Sequence, residues 1–159
     1  MKKLSLAILT LGLSAVVNAA GYGVIDIEKV VESSQYLKQQ NASLEASIKP
    51  QASKLEQLNK ELATLQKQSQ TQGANLKQIE SQYQAKMTEF TTLQQSVQSR
   101  VQTTIQNTNK TFEARVKQAA EQLRQENSLD LVLNKNAALA FDSKYDLTAK
   151  MIQKVNAIK

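Results

Sequence analysis

The chain has 159 residues, with 20 basic and 14 acidic side chains for a formal net charge of +6, and no His, Cys or Trp. Without His or Cys there is no imidazole base, thiol nucleophile, zinc–thiolate site or disulfide, so the commonest catalytic and metal chemistries are excluded. Twenty-one Gln, one Pro and four Gly favour long helices that pack on each other over a compact core.

Residues 1–19 read as a secretory signal peptide. Met1-Lys2-Lys3 is a short positive start, Leu4 to Val17 is an apolar run, and Val17-Asn18-Ala19 offers small residues at the −3 and −1 positions of a cleavage site. The run of about 14 residues is shorter than the ~20 that a membrane-spanning helix needs. The alternative is an uncleaved N-terminal anchor. Lipoprotein anchoring needs a Cys that the chain lacks. Cleavage near Ala19 removes Lys2 and Lys3, lowers the formal charge from +6 to +4, and places the mature chain in an oxidising space such as the periplasm.

The mature chain opens with Tyr22-Gly-Val-Ile-Asp-Ile-Glu-Lys-Val-Val31. Val24, Ile25 and Ile27 are β-branched and predict a short buried strand. Ser33 and Ser34 follow as candidate caps.

Residues 34–127 predict helix almost throughout. Leu55, Leu62, Leu76, Tyr83, Phe90 and Val97 fall on one seven-residue ladder, with Ser69 in its empty slot. Leu58, Leu65, Ile79 and Leu93 fall on a second ladder offset by three, which completes a coiled-coil seam. Beyond Val97 the spacing becomes eleven, through Val101, Phe112 and Leu123, with Ile105, Val116 and Ala119 between; that period is nearly straight. Residues 66–75 carry no large apolar side chain and include Gly73, so a hairpin tip is expected at 71–75. One unbroken helix with a tolerated Gly73 is the alternative. The first arm, of about 39 residues at 1.5 Å each, is about 60 Å long, and the second has about 54 residues. Pro50 removes one hydrogen bond from the first arm and predicts a kink or restart there.

The C-terminal part changes character. Leu129, Leu131 and Leu133 lie on one face of a predicted strand, Asn134-Lys135-Asn136 reads as a turn, and Ala137 to Phe141 reads as a returning strand. A final helix starting at Asp146 or Thr148 carries the stripe Leu147, Met151, Ile152, Val155 and Ile158. The fold class is therefore mostly α with a small β part. Residues 20–33 and 128–159 form a β-rich base with a C-terminal helix, and 34–127 form a coiled-coil hairpin projecting from it. Three such short strands bury too little apolar surface alone, so the base is expected to oligomerise.

The Gly23-Val24-Ile25-Asp26 segment, the Gln/Lys/Leu-rich hairpin with a Gly near its tip, the run Leu129-Asp-Leu-Val-Leu-Asn-Lys-Asn-Ala-Ala138 and the Asp146-Leu147-Thr148 helix start resemble the Skp, or OmpH-like, periplasmic chaperones. The likeness spans essentially the whole mature chain, and it rests on the order and lengths of the segments more than on one motif. It implies a jellyfish-shaped homotrimer with an intersubunit β-structured base and three helical tentacles around a cavity. It also implies an ATP-independent holdase for unfolded outer-membrane proteins. The trimer contact then falls on Val24, Ile25, Ile27, Leu129, Leu131, Leu133, Ala138 and Leu139. Some relatives carry, on the returning arm, a basic cluster proposed to bind lipopolysaccharide. The matching stretch here, Gln102-Thr103-Thr104, has only Arg100 nearby, so the resemblance does not carry that cluster over.

The residues themselves speak against catalysis. Gly21-x-Gly23 lacks the rest of a dinucleotide fingerprint, no phosphate-binding G-x-x-x-x-G-K occurs, and Glu56 and Glu61 read as solvated charges. No cofactor, metal or catalytic residue is expected. Candidate client contacts are Met87, Phe90 and Phe112, with Lys77 and Lys86. Most heptad residues are seam, and lysines at 67, 77, 86, 110 and 117 give the arms a positive field. That field makes an anionic lipid or lipopolysaccharide surface a further candidate partner. Specific nucleic-acid binding is not expected, because clustered Arg and stacking aromatics are missing. The competing function is a structural coiled-coil spacer or envelope tether.

Overall fold

A computed structural model describes residues 21–71 and 75–159. The expected signal peptide and Gly73 of the expected tip lie outside the described residues. The elements in chain order are β1 (Tyr22–Ile25), α1 (Ile27–Ser33), α2 (Gln35–Ser69), α3 (Leu76–Glu126), β2 (Leu131–Asn134) and α4 (Thr148–Ala157). Single 3-10 turns cover Lys135–Ala137 and Ser143–Tyr145.

α2 and α3 form an antiparallel hairpin. Lys54 faces Glu89 while Glu61, further along α2, faces the earlier Lys86, so the two helices run in opposite directions. That rules out one unbroken helix. Asn75 starts α3, its Oδ1 accepting the Gln78 N–H at 3.3 Å. At 1.5 Å per residue the 35 residues of α2 span about 52 Å and the 51 of α3 about 76 Å. Leu58 and Leu62 of α2 are buried in the seam, and Leu55, Leu65, Ile79, Tyr83, Phe90, Leu93 and Val97 are half-buried. Leu76, expected on the first ladder, is instead 59% exposed. It sits at the first residue of α3, where the opposite arm offers Gln66 and Ser69.

α2 runs through Pro50 without ending, so the expected restart does not occur. Only one amide hydrogen bond is lost there, and the bonds on either side carry the helix across.

The base is built where the two chain ends meet. Asp26 ends β1 and caps α1, its Oδ1 accepting the Lys29 N–H at 3.2 Å. Ile27 is therefore the first residue of a helix and not part of a strand: an Asp cap followed by Glu28 in the first turn outweighs its β-branching. α3 ends at Asn127 in a Schellman turn. Leu129 N–H donates to the Arg124 carbonyl at 2.8 Å and Ser128 N–H to that of Gln125 at 3.2 Å. Ser128 holds φ at 51°, a conformation that glycine usually takes.

β1 and β2 pair in parallel, with Tyr22 opposite Leu131 and Ile25 opposite Asn134. The whole hairpin is the crossover between them, which is what a parallel pair requires. The expected third strand at 137–141 is not formed. Asn134 accepts the Asn136 N–H at 3.3 Å, which winds the chain into a 3-10 turn and away from a β-turn. Among the described residues the sheet has two strands, with one further bridge from Val24 to Asp146. Gly23 lies so close to α4's approach that a Cβ would stand 2.5 Å from Leu147 Cδ1 and 3.1 Å from Leu129 Cδ1. Beneath the sheet, Ile25, Val30, Ala119, Leu123, Met151 and Val155 form one buried core, which α1, α3 and α4 share.

Candidate functional site

Among the described residues no three acids are placed to hold a metal ion, and no helix is long and apolar enough to cross a membrane. The features that remain are surfaces, on the base and along the arms.

On the base, the expected contact residues divide. Val24 is 1% exposed and Ile25 4%, so both are already buried by their own chain and offer a partner almost nothing. Ile27, Leu129 and Ala138 are half-buried. Leu131 and Leu133 point outward from β2 and are exposed, and Leu139 lies fully in the open on the extended segment after the first 3-10 turn. An apolar face is thus left uncovered on one side of the small sheet. Tyr22 stacks on Tyr145 beside it, with ring centroids 4.3 Å apart. The sequence hinted at this pair only weakly, because the residues are far apart in the chain and follow no period.

Charges tie the base together. Asp26 N–H donates to Thr148 Oγ1 at 2.9 Å, and its carboxylate takes Lys135 Nζ at 3.2 Å. The Lys29 amide at the helix cap, ahead of Lys135, holds the Asp26 carboxyl below its ordinary range. Glu121 on α3 accepts from Arg124 and Gln125, and these bonds, Arg124's first, hold its carboxyl at about 2. Arg115 lies 4.0 Å over the Tyr36 ring and donates to the Ile158 carbonyl at 2.6 Å.

On the arms, the expected client contacts are largely used within the hairpin. Phe90 is half-buried in the seam, with Met87 half-buried one turn away, and Phe112 packs against the base core. Lys86 Nζ lies 2.7 Å from Glu61 and 3.6 Å from Glu89, so it bridges the two arms and is not a free cation. Lys117 is paired with Glu113. Lys77 is exposed in the first turn of α3. Glu56, one of the carboxylates read as solvated, pairs with Lys60 at 2.7 Å. A recess of about 350 Å³ opens near the tip between Leu65, Leu76, Ile79 and Tyr83. The polar stretch after Leu65 concealed it in the sequence, because its apolar walls come from both arms.

The inter-arm triad gives the seam a pH dependence. The bond from Lys86, then that from Gln57, lowers the Glu61 pKa below its ordinary 4.5, and Glu61 raises that of Lys86 above 10.5. The pair's contribution is complete between those ordinary values. It is lost as pH falls through the lowered Glu61 value, and as pH rises through the raised Lys86 value. Both side chains are about a third exposed, so the contribution is small. Glu61→Gln is expected to melt slightly earlier than the parent at pH 7, with the gap closing as pH drops below 4.5. Thermal melts at several pH values check this.

Residues 21–155 match the family model for outer membrane protein (OmpH-like). No curated protein matches the chain in sequence. Solved structures similar to it include that of a candidate OmpH-like outer membrane chaperone from Caulobacter crescentus CB15. It superposes with a TM-score of 0.72 at 21% identity, covering 87% of this chain and 85% of that one. At that identity the likeness speaks for the fold, and the family match, running from β1 into the last turn of α4, speaks for descent. The chain belongs to the OmpH-like family.

Proposed function

We propose that this protein is an ATP-independent periplasmic holdase. Three copies join through their bases, and their hairpins enclose a cavity, jellyfish-fashion, that receives unfolded outer-membrane proteins before membrane insertion. The observation that carries the reading is the pairing of a very small base with a very long arm. Two strands of four residues leave Leu131, Leu133 and Leu139 uncovered, below an α3 of about 76 Å. The sheet packs on α3 and α4 from one side only, so burying its open face adds stability, and further copies of the same face supply the cover. With Val24 and Ile25 turned inward, the contact rests on β2 and the segment through Leu139.

Export with cleavage near Ala19 puts the protein where its clients pass. The arms suit holding without folding. Their exposed surface is rich in Gln and Lys, with isolated apolar side chains such as Leu76 and Ile105. An unfolded barrel strand alternates apolar and polar residues, and many weak contacts hold it while each lets go easily. The same exposed lysines, Lys77 among them, would meet an anionic lipid surface. A spacer or tether is less well supported, because the arm folds back on itself and so halves its reach.

The purified mature protein is expected to keep a urea-diluted outer-membrane protein in solution without nucleotide. Light scattering that rises as fast with the protein as without it would overturn the reading.

A further inference from the structure

Two helices lying side by side bend easily only if they can slide past each other. α2 and α3 pack along their length, so how freely they slide depends in part on what holds the root of α2. Packed helix axes lie 8–10 Å apart, so bending the pair by about 20° in their common plane slides them by about 3 Å at the root.

The root of α2 is built for such a movement. The chain breaks from α1 to α2 at Ser34, whose extended backbone (φ −70°, ψ 114°) ends one helix and caps the next. The seam above it is loosely filled. A recess of about 160 Å³ lies between Leu37, Leu44 and Thr104, and the buried seam residue there is Thr108, where the distal arm has Leu58 and Leu62.

Asn156 of α4 straddles the break. Its Oδ1 accepts the Gln35 N–H at 2.9 Å, and its Nδ2 donates to the Ser33 carbonyl at 3.2 Å. A 3 Å slide breaks the Gln35 bond outright. The Arg115 guanidinium over Tyr36 is a face contact that tolerates sliding, while its bond to the Ile158 carbonyl steadies the end of α4 that presents Asn156.

We propose that Asn156 is a latch that pins the root of α2 to the C-terminal helix and so limits how far the arm bends. Its use in admitting clients of different size rests on the holdase reading. The latch itself does not.

The chain has no Cys, so cysteines placed at the exposed Ala63 on α2 and Ala149 on α4 can be spin-labelled selectively. Labelled mature protein is mixed with excess unlabelled protein, and the intrachain distance distribution is read by double electron–electron resonance. Asn156→Leu is expected to widen that distribution by about twofold, as a freed helix end samples more positions. Gln35→Pro is expected to do the same from the other side of the bond. Proline at the first helical position costs little but the N–H, and the extended Ser34 suits a residue before proline. Unchanged widths in both variants, with full helical circular dichroism, would overturn the latch. Should Asn156→Leu lose its helical signal, Gln35→Pro decides alone. No client is present, so a negative result here leaves the holdase reading to the aggregation assay.

Discussion

Leu123→Ala is expected to destabilise the base by about 2–5 kcal/mol, the range for truncating a buried leucine. Leu123 is 1% exposed and lies among Ile25, Val30, Ala119, Met151 and Val155. These residues come from the first strand, α1, α3 and α4, so the cavity falls where both ends of the chain meet. Among the described residues this is the buried cluster that the elements of the base share. Its loss should release α4 and the two-stranded sheet together. The proposed oligomer contact lies on that sheet, so the variant should also dissociate, and its unfolding midpoint should fall further at low protein concentration. Ile105→Ala is the matched control. Ile105 is on the same helix but 45% exposed, and its loss should change stability by no more than about 0.5 kcal/mol. Urea titrations of the three proteins at two concentrations test both statements. Equal midpoints for Leu123→Ala and the parent would mean that the base is not the stabilising unit.

Pro50→Ala is expected to act in the opposite direction and to stabilise the arm by up to about 3 kcal/mol, the difference between proline and alanine inside a helix. Pro50 is exposed and sits near the middle of a 35-residue helix that continues on both sides of it. Alanine restores the missing N–H and its bond to the carbonyl four residues back, and it leaves no cavity. A higher thermal midpoint with unchanged client holding would mean that the proline is a tolerated defect. A higher midpoint with reduced holding would mean that local weakness in the arm serves the binding of clients. An unchanged midpoint would contradict the expected gain.

Much of the architecture was legible in the residues because it is periodic. The heptad ladders locate the seam at Leu58 and Leu62, and the stripe Met151-Val155 gives α4 its buried face. The Asp cap and the acidic first turn at Asp26-Ile27-Glu28 were equally local signals, yet the β-branched residues around them suggested a longer strand. What stayed hidden depends on partners distant in the chain. The parallel pairing of β1 with β2, the Tyr22–Tyr145 stack and the bonds of Asn156 each join residues more than 100 positions apart, and no local period encodes them. Lys86 shows the same limit on the arms. Its i,i+3 spacing to Glu89 is local, but only the register of the hairpin sets it against Glu61 on the opposite arm. The returning strand failed for a short-range reason, the Asn134 side chain capping a 3-10 turn.

The proposed function requires that the base assemble three chains so that their arms can hold an unfolded protein. Native mass spectrometry of the mature protein, with and without a urea-diluted outer-membrane protein, tests it most directly. A trimer that gains the mass of one client without nucleotide is the expected result. A monomer in both samples, or a trimer that takes up no client, would contradict it.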